Sequence, residues 1–236
     1  MKSENISSGL VSVNQVLQEL KSMGNPTPKN LAGMQRFGIK FTEAYCVGMP
    51  ALRKYAKKFK NDHALALALW KSDVHDAKLL AAMVDDPAKV TEQQMERWVK
   101  DFSSWDICDC CCGILFDKTP FAYKKAAEWS KRKEEYVKRA GFVLMAELAA
   151  HDKEADDKKF VAFFPAMERE AWDERNFVRK AVNWALRQIG KRNEKLHKEA
   201  IIVAKRIQQQ DSKSARWIAA DALRELQSDK AKRWLK

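Results

Sequence analysis

Apolar residues recur along this chain at the spacing of an amphipathic helix rather than a strand. Val13, Val16, Leu17 and Leu20 fall at i, i+3, i+4 and i+7 and predict a first helix. Gly24-Asn25-Pro26-Thr27-Pro28 then breaks the pattern. The spacing predicts a second helix over Asn30–Phe41 and a third from Met49-Pro50 through Phe59, with Pro50 suited to a first helical turn. Leu65–Trp70 and Ala77–Val84 follow, punctuated by Asp73 and by Asp85-Asp86-Pro87. Thr91 with Gln94 reads as a capping box. Further helices are predicted at Trp105–Leu115, Phe121–Ser130, Glu134–Ala149, Lys158–Met167, Glu174–Gly190, Glu194–Gln209 and Ser212–Leu226. No stretch alternates as a strand does, so the expected class is all-α, and Trp70 and Trp98 are read as core.

The predicted helices resemble one another. Arg139-Ala140-Gly141-Phe142-Val143-Leu144-Met145 resembles Lys180-Ala181-Val182-Asn183-Trp184-Ala185-Leu186, 41 positions on. Ala185-Leu186-Arg187 resembles Ala222-Leu223-Arg224, 37 positions on, and Lys78–Met83 is a weaker earlier copy. A period near 40 fits degenerate HEAT or armadillo helix pairs. Such pairs stack into a solenoid whose concave side is the usual binding surface. The expectation is a curved right-handed solenoid of degenerate HEAT-like helical repeats. No linker divides it, so residues 1–236 are read as a single domain.

Composition narrows the picture. Hydrophobic residues make up 46% of the chain, enough for a core. The 8 Gly and 6 Pro are too few for most all-β folds and for enzymes built on glycine loops. No apolar run approaches the roughly 18 residues of a membrane span, and Met1–Ser8 lacks the apolar core of a leader peptide. Five cysteines, four of them within Cys108–Cys112, do not make a disulfide framework, so a reducing cytoplasm is expected. The net charge of +12 is uneven: Glu174 to Lys236 carries 17 Lys and Arg against 7 Asp and Glu. A folded segment with that excess presents a positive field whose natural partner is a polyanion, nucleic acid above all.

Two segments could carry chemistry. In Ser103-Ser104-Trp105-Asp106-Ile107-Cys108-Asp109, a helix puts Trp105 and Asp109 on one face. Asp106 reads as a structural helix cap. Asp109 opens the apolar run Cys110–Leu115, where a carboxylate must be paired or functional. In the second segment Lys180, Trp184, Arg187 and Lys191 form one helical stripe opposite the apolar face Val178, Ala181, Val182, Ala185 and Ile189. Cations interleaved with an aromatic suit a nucleic-acid backbone and its sugars. Trp184 taken singly either joins that stripe or tilts into the core. The cysteines are too close in sequence for tetrahedral zinc and read as buried free thiols; the four histidines show no ligand spacing, so no metal is expected.

At these segments the sequence resembles the AlkD-like DNA alkylation repair family, HEAT-repeat DNA glycosylases that release N-alkylated purines. The resemblance runs from Met34-Gln35-Arg36-Phe37 and Gly48–Arg53 to the C-terminal helices, and is carried most specifically by Ser104–Asp109, Val137–Ala140 and Val178–Asn193. It implies that Asp109 is the catalytic carboxylate, that Trp105 and Trp184 cradle the damaged nucleotide's deoxyribose, and that Arg139 holds the backbone near the lesion. Lys180, Arg187, Lys191, Arg36 and Phe37 are expected at the DNA, with Arg53 and Arg192 as further backbone candidates. Phe37 stands where some members carry Tyr, and Ser104 where some carry a second Trp.

The chemistry is consistent with those residues. A purine alkylated at N3 or N7 is already cationic and leaves without a general acid. Departure creates an oxocarbenium-like sugar, which a carboxylate stabilises. Each tryptophan adds a cation–π attraction of about 0.5–2 kcal/mol. The expected function is hydrolytic excision of 3-methyladenine and 7-methylguanine from duplex DNA by a cytoplasmic monomer that needs no cofactor. The alternative is a non-catalytic binder of distorted or branched DNA on the same basic face.

Overall fold

The computed structural model describes residues 12–229 and residue 231. Met1–Ser8, read above as lacking a leader, lie outside them. The described residues form fourteen α-helices, two short 3-10 turns and no β-strand, with one isolated bridge between Glu43 and Val74. No helix among them is long and apolar enough to cross a membrane. They divide into two compact units: residues 12–37 with Phe41–Asp85, and Gly38–Lys40 with the residues from Asp86 on.

The first unit holds α1 (Val13–Met23), α2 (Pro28–Arg36), α3 (Met49–Ala56), α4 (His63–Lys71) and α5 (His75–Val84). Side-chain caps start three of these helices: Ser12 Oγ accepts the Gln15 N–H at 3.2 Å, Thr27 the Asn30 N–H at 3.2 Å, and Asp62 the Leu65 N–H at 2.9 Å. The second helix ends at Arg36, earlier than predicted. Gly38 takes a left-handed φ of 78°, which no helix continues, and a Cβ there would lie 2.4 Å from the Phe177 ring.

The second unit holds α6 (Glu92–Lys100), α7 (Trp105–Ile114), α8 (Ala122–Trp129), α9 (Glu135–His151), α10 (Asp157–Val161), α11 (Phe164–Glu170), α12 (Asn176–Gly190), α13 (Glu194–Gln208) and α14 (Lys213–Leu226). One row runs α7, α9, α12, α14, each packed on the next; α8, α11 and α13 pack behind it on α9, α12 and α14. The repeat read from the sequence falls on α9, α12 and α14, successive members of that row. α9 is buried nearly all round, from Val137 to Ala149, as a helix at the centre of a stack must be. Gly141 lets the end of α8 approach it: a Cβ there would sit 2.4 Å from the Ser130 nitrogen.

One further expectation is modified. Lys158–Met167 is not one helix but α10 and α11, because Pro165 cannot donate the backbone hydrogen bond that would continue the first into the second. Thr91 does cap α6, its hydroxyl accepting the Gln94 N–H at 3.1 Å. Trp70 and Trp98 are core, 6% and 3% exposed. Between α12 and α14 three contacts repeat at a constant separation of 38 positions: Arg179 over the Trp217 ring, Asn183 with Asp221, and Arg187 with Glu225. The spacing of four within each helix makes these contacts the rungs of one ladder.

Candidate active site and nucleic-acid interface

The site lies within the second unit and begins at the first turn of α7. Ser104 occupies the N-cap position, and its hydroxyl donates to Asp106 Oδ1 at 2.5 Å. The same Asp106 oxygen accepts the Ile107 N–H at 2.9 Å. Asp106 is thus not the helix cap expected from sequence, a place Ser104 takes, but a first-turn anion at the helix start. Behind that turn Ile107, Cys108, Cys110, Cys111 and Cys112 are buried, which leaves Trp105 and Asp109, one turn apart, on the less buried face. The four cysteines of the run form no disulfide, and burial pushes the Cys112 thiol well up. Cys46, in the first unit, is half-buried and also forms no disulfide.

Asp109 is gripped by α9. Arg139 Nε donates to Asp109 Oδ1 at 2.9 Å and Nη2 to Oδ2 at 2.8 Å, a two-pronged ion pair. Its third nitrogen, Nη1, donates to the Phe177 carbonyl at 2.5 Å, tying α7, α9 and the start of α12 together. The Arg139 side chain is 7% exposed and that of Asp109 22%, so the guanidinium is sealed in while the Asp109 side chain stays partly exposed. Burial pushes the Asp109 carboxyl up. The charge and hydrogen bonds of Arg139 oppose that push, and the nearby charge of Asp106 adds to it. A turn earlier on α9, burial pushes the Tyr136 phenol up to about 12. Its ring lies 5.8 Å from that of Phe177.

The α12 stripe is less free than the sequence suggests. Lys180 is exposed and Trp184 is half-buried. Arg187 pairs with Glu225 of α14 and approaches Asp221 at 3.9 Å; Lys191 pairs with Glu225 at 2.5 Å. Burial alone pushes the Glu225 carboxyl up, but its hydrogen bonds from Lys191 and Arg187 carry it below its ordinary value. Arg192 is also engaged internally: it donates to the Ala149 carbonyl at 2.8 Å, and its guanidinium lies 4.0 Å from the centre of the Phe160 ring. Arg36 and Phe37 belong to the first unit, where the Arg36 guanidinium lies 5.2 Å from the centre of the exposed Phe37 ring.

The structure therefore joins Asp109 with Arg139 directly, sets Trp105 on the face of Asp109, and ties Arg139 to the helix that carries Lys180 and Trp184. Sequence reasoning missed Tyr136, the Phe177 carbonyl and Glu225. Only Tyr136 had a sequence cue, three residues before Arg139 on the same helix face.

A family model described as DNA alkylation repair enzyme matches residues 16–226. No curated protein matches the chain. Among solved structures, the chain is similar to one described as belonging to a new family of proteins related to the HEAT-like repeat DNA glycosylases with affinity for branched DNA structures. The TM-score is 0.74 at 19% identity, over 91% of this chain and 95% of that one. That likeness establishes a HEAT-like repeat fold. The family match spans both compact units and includes α7, α9 and α12, the helices that build the carboxylate site, so the chain belongs to the DNA alkylation repair enzyme family.

Proposed function

We propose that this chain is a DNA glycosylase that excises cationic N-alkylated purines, 3-methyladenine and 7-methylguanine, from duplex DNA by hydrolysing the N-glycosidic bond. The observation that supports this reading most is a partly exposed aspartate whose position is fixed by a buried guanidinium, on the same helix face as an aromatic ring. A carboxylate has roughly four lone-pair sites, and a guanidinium fork uses two of them. Asp109 therefore keeps acceptors for an attacking water and for the sugar cation while Arg139 holds it. Trp105 on that face adds its negative ring surface to the developing charge. Trp184, Lys180, Arg187, Lys191, Arg36 and Phe37 are assigned to the DNA.

The alkylated base carries its own positive charge, so the bond breaks without a general acid and without a metal or organic cofactor. The stabilisation comes from preorganised charge at the sugar. We assign the protein a monomeric, cytoplasmic life; its cysteines form no disulfide among the described residues. The second reading is a non-catalytic binder of branched DNA. It is favoured by the affinity for branched DNA described for the structural relative's family and by the fact that both Asp109 oxygens are already engaged by Arg139. The two readings separate in one assay: incubation with methylated duplex DNA and chromatography of the released bases. The glycosylase reading expects free 3-methyladenine and 7-methylguanine, and no release from unmethylated DNA. Intact DNA binding with no released base would favour the binder.

A further inference from the structure

Of the tryptophans, Trp70, Trp98 and Trp129 are buried, whereas Trp172 is 58% exposed and Trp217 36% exposed. An isolated exposed ring needs no explanation. These two sit on segments that touch. Trp172 lies in the turn between α11 and α12, and that turn is pinned to the start of α14: Ser212 Oγ donates to the Trp172 carbonyl at 3.4 Å, and Ser214 Oγ to the Asp173 carbonyl at 2.8 Å. Arg175 adds a bond to the Lys133 carbonyl at 2.8 Å. Trp217 follows Ser214 by three residues, on the next turn of α14. Three hydrogen bonds therefore hold the turn while its indole stays largely exposed.

Arg179 completes the group. Its guanidinium lies 4.9 Å from the centre of the Trp217 ring. This is the outermost rung of the α12–α14 ladder, and it differs from the others in kind. Arg187, two turns along, gives its charge to Glu225. Arg179 has no carboxylate partner among the described residues. It reaches only Asn176 Oδ1 at 3.5 Å, and its Nε is buried without a hydrogen bond. Nearby acids are already committed: Asp173 to Lys138 and Arg175, Glu170 to Lys138 and Arg169, Asp211 to Arg216. Each indole carries one cation over its ring, Lys138 Nζ 5.5 Å from the centre of Trp172 and Arg179 over Trp217, so what this end offers is the remaining exposed surface of two indoles and an unneutralised guanidinium.

We propose that Trp172, Trp217 and Arg179 form a stacking site for the unpaired bases of a single DNA strand. The chemistry selects that occupant. Bases in a duplex are already stacked and offer no face to an indole, whereas unpaired bases stack on aromatic rings whatever their sequence, and a neighbouring arginine serves the phosphate or the base plane. Exposed Trp with Arg also suits a protein partner. The unpaired positive charge on a segment with twelve Lys and Arg against five Asp and Glu, from Asn176 to Leu226, favours the polyanion. The inference rests on the DNA-binding reading above but not on catalysis at Asp109.

The test is fluorescence anisotropy with a short labelled oligothymidylate and a length-matched duplex, on the full chain and on Trp172→Ala, Trp217→Ala, Arg179→Ala and Trp217→Phe. Both indoles are solvent-facing, so unchanged thermal midpoints are the check on folding. The wild type is expected to bind the single strand with quenching of its tryptophan emission. Each alanine variant should weaken single-strand binding by about tenfold and duplex binding by about twofold at most. Trp217→Phe, which keeps a ring, should retain most of the affinity. Alanine variants that bind the single strand like the wild type overturn the site and leave duplex recognition standing. A wild type that binds neither DNA overturns the DNA reading and the site with it.

Discussion

Asp109 and Arg139 depend on each other. A guanidinium 7% exposed cannot sit beside α7 without a counter-charge, and the carboxylate is held in place by the fork. Arg139→Ala leaves Asp109 largely desolvated with its partner gone. The expected cost is about 3–5 kcal/mol of folding stability, read from urea denaturation. The same change should push the Asp109 carboxyl further up, because the main influence opposing burial disappears. In the proposed reaction Arg139 is a positioning residue for Asp109, its three nitrogens donating to that carboxylate and to the Phe177 carbonyl. A stability loss well under 1 kcal/mol would show that the pair is only a surface contact.

At the scale of elements, α7 and α9 also meet at a partly buried acid. Glu147 of α9 fills the space left by Gly113 of α7, where a Cβ would lie 2.4 Å from its Oε1. Burial pushes its carboxyl up to about 7, with His151 pulling it down and the charges of Asp117 and Asp109 pushing it further up. His151 lies 3.6 Å from Glu147 and 2.6 Å from Asp117. A raised carboxyl binds its proton more tightly in the fold than in the unfolded chain. Its stabilisation is therefore complete below the ordinary value of 4.5 and is lost as pH rises through about 7. Glu147→Gln stays neutral throughout. The wild type should lose roughly 1–2 kcal/mol relative to Glu147→Gln between about pH 5 and pH 8, the figure being reduced for the solvent that reaches the group. Parallel denaturation curves at both pH values would contradict this.

Much of this level was legible in the sequence. The i, i+3, i+4 spacing located most of the helices, and the offsets of 41 and 37 picked out three successive members of one row. Asp109 stood out because it interrupts an apolar run one turn after Trp105. The rest was hidden for physical reasons. The third partner of Arg139 is a backbone carbonyl 38 positions away, which no side chain announces. The neutralisation of Arg187 and Lys191 by Glu225 is a contact between helices, so a single-helix stripe overstated the free charge. The break at Pro165 was readable in principle, but the apolar spacing across it pointed to continuity.

For the whole molecule the relevant quantity is the positive field of the C-terminal helices. Each phosphate neutralised by a Lys or Arg releases counterions and contributes about −0.9 to the slope of log affinity against log salt. Glu225 subtracts from that field by holding two of the stripe's cations. Glu225→Gln is expected to raise duplex affinity several-fold at low salt and to steepen the salt slope by roughly 1–2, as Arg187 and Lys191 become available to phosphates. An unchanged slope would place those two residues away from the DNA.

The central claim is that Asp109 performs the chemistry while the surrounding charge and aromatic surface perform the binding. It is tested most directly by single-turnover release of 7-methylguanine from methylated duplex DNA by the wild type and Asp109→Asn, with DNA affinity measured on the same preparations. The substitution keeps the size of the side chain and an acceptor for Arg139 while removing the negative charge. The expected result is release by the wild type, loss of release in the variant by a factor of about a hundred or more, and similar affinity in both. Release at the wild-type rate by Asp109→Asn would contradict the account.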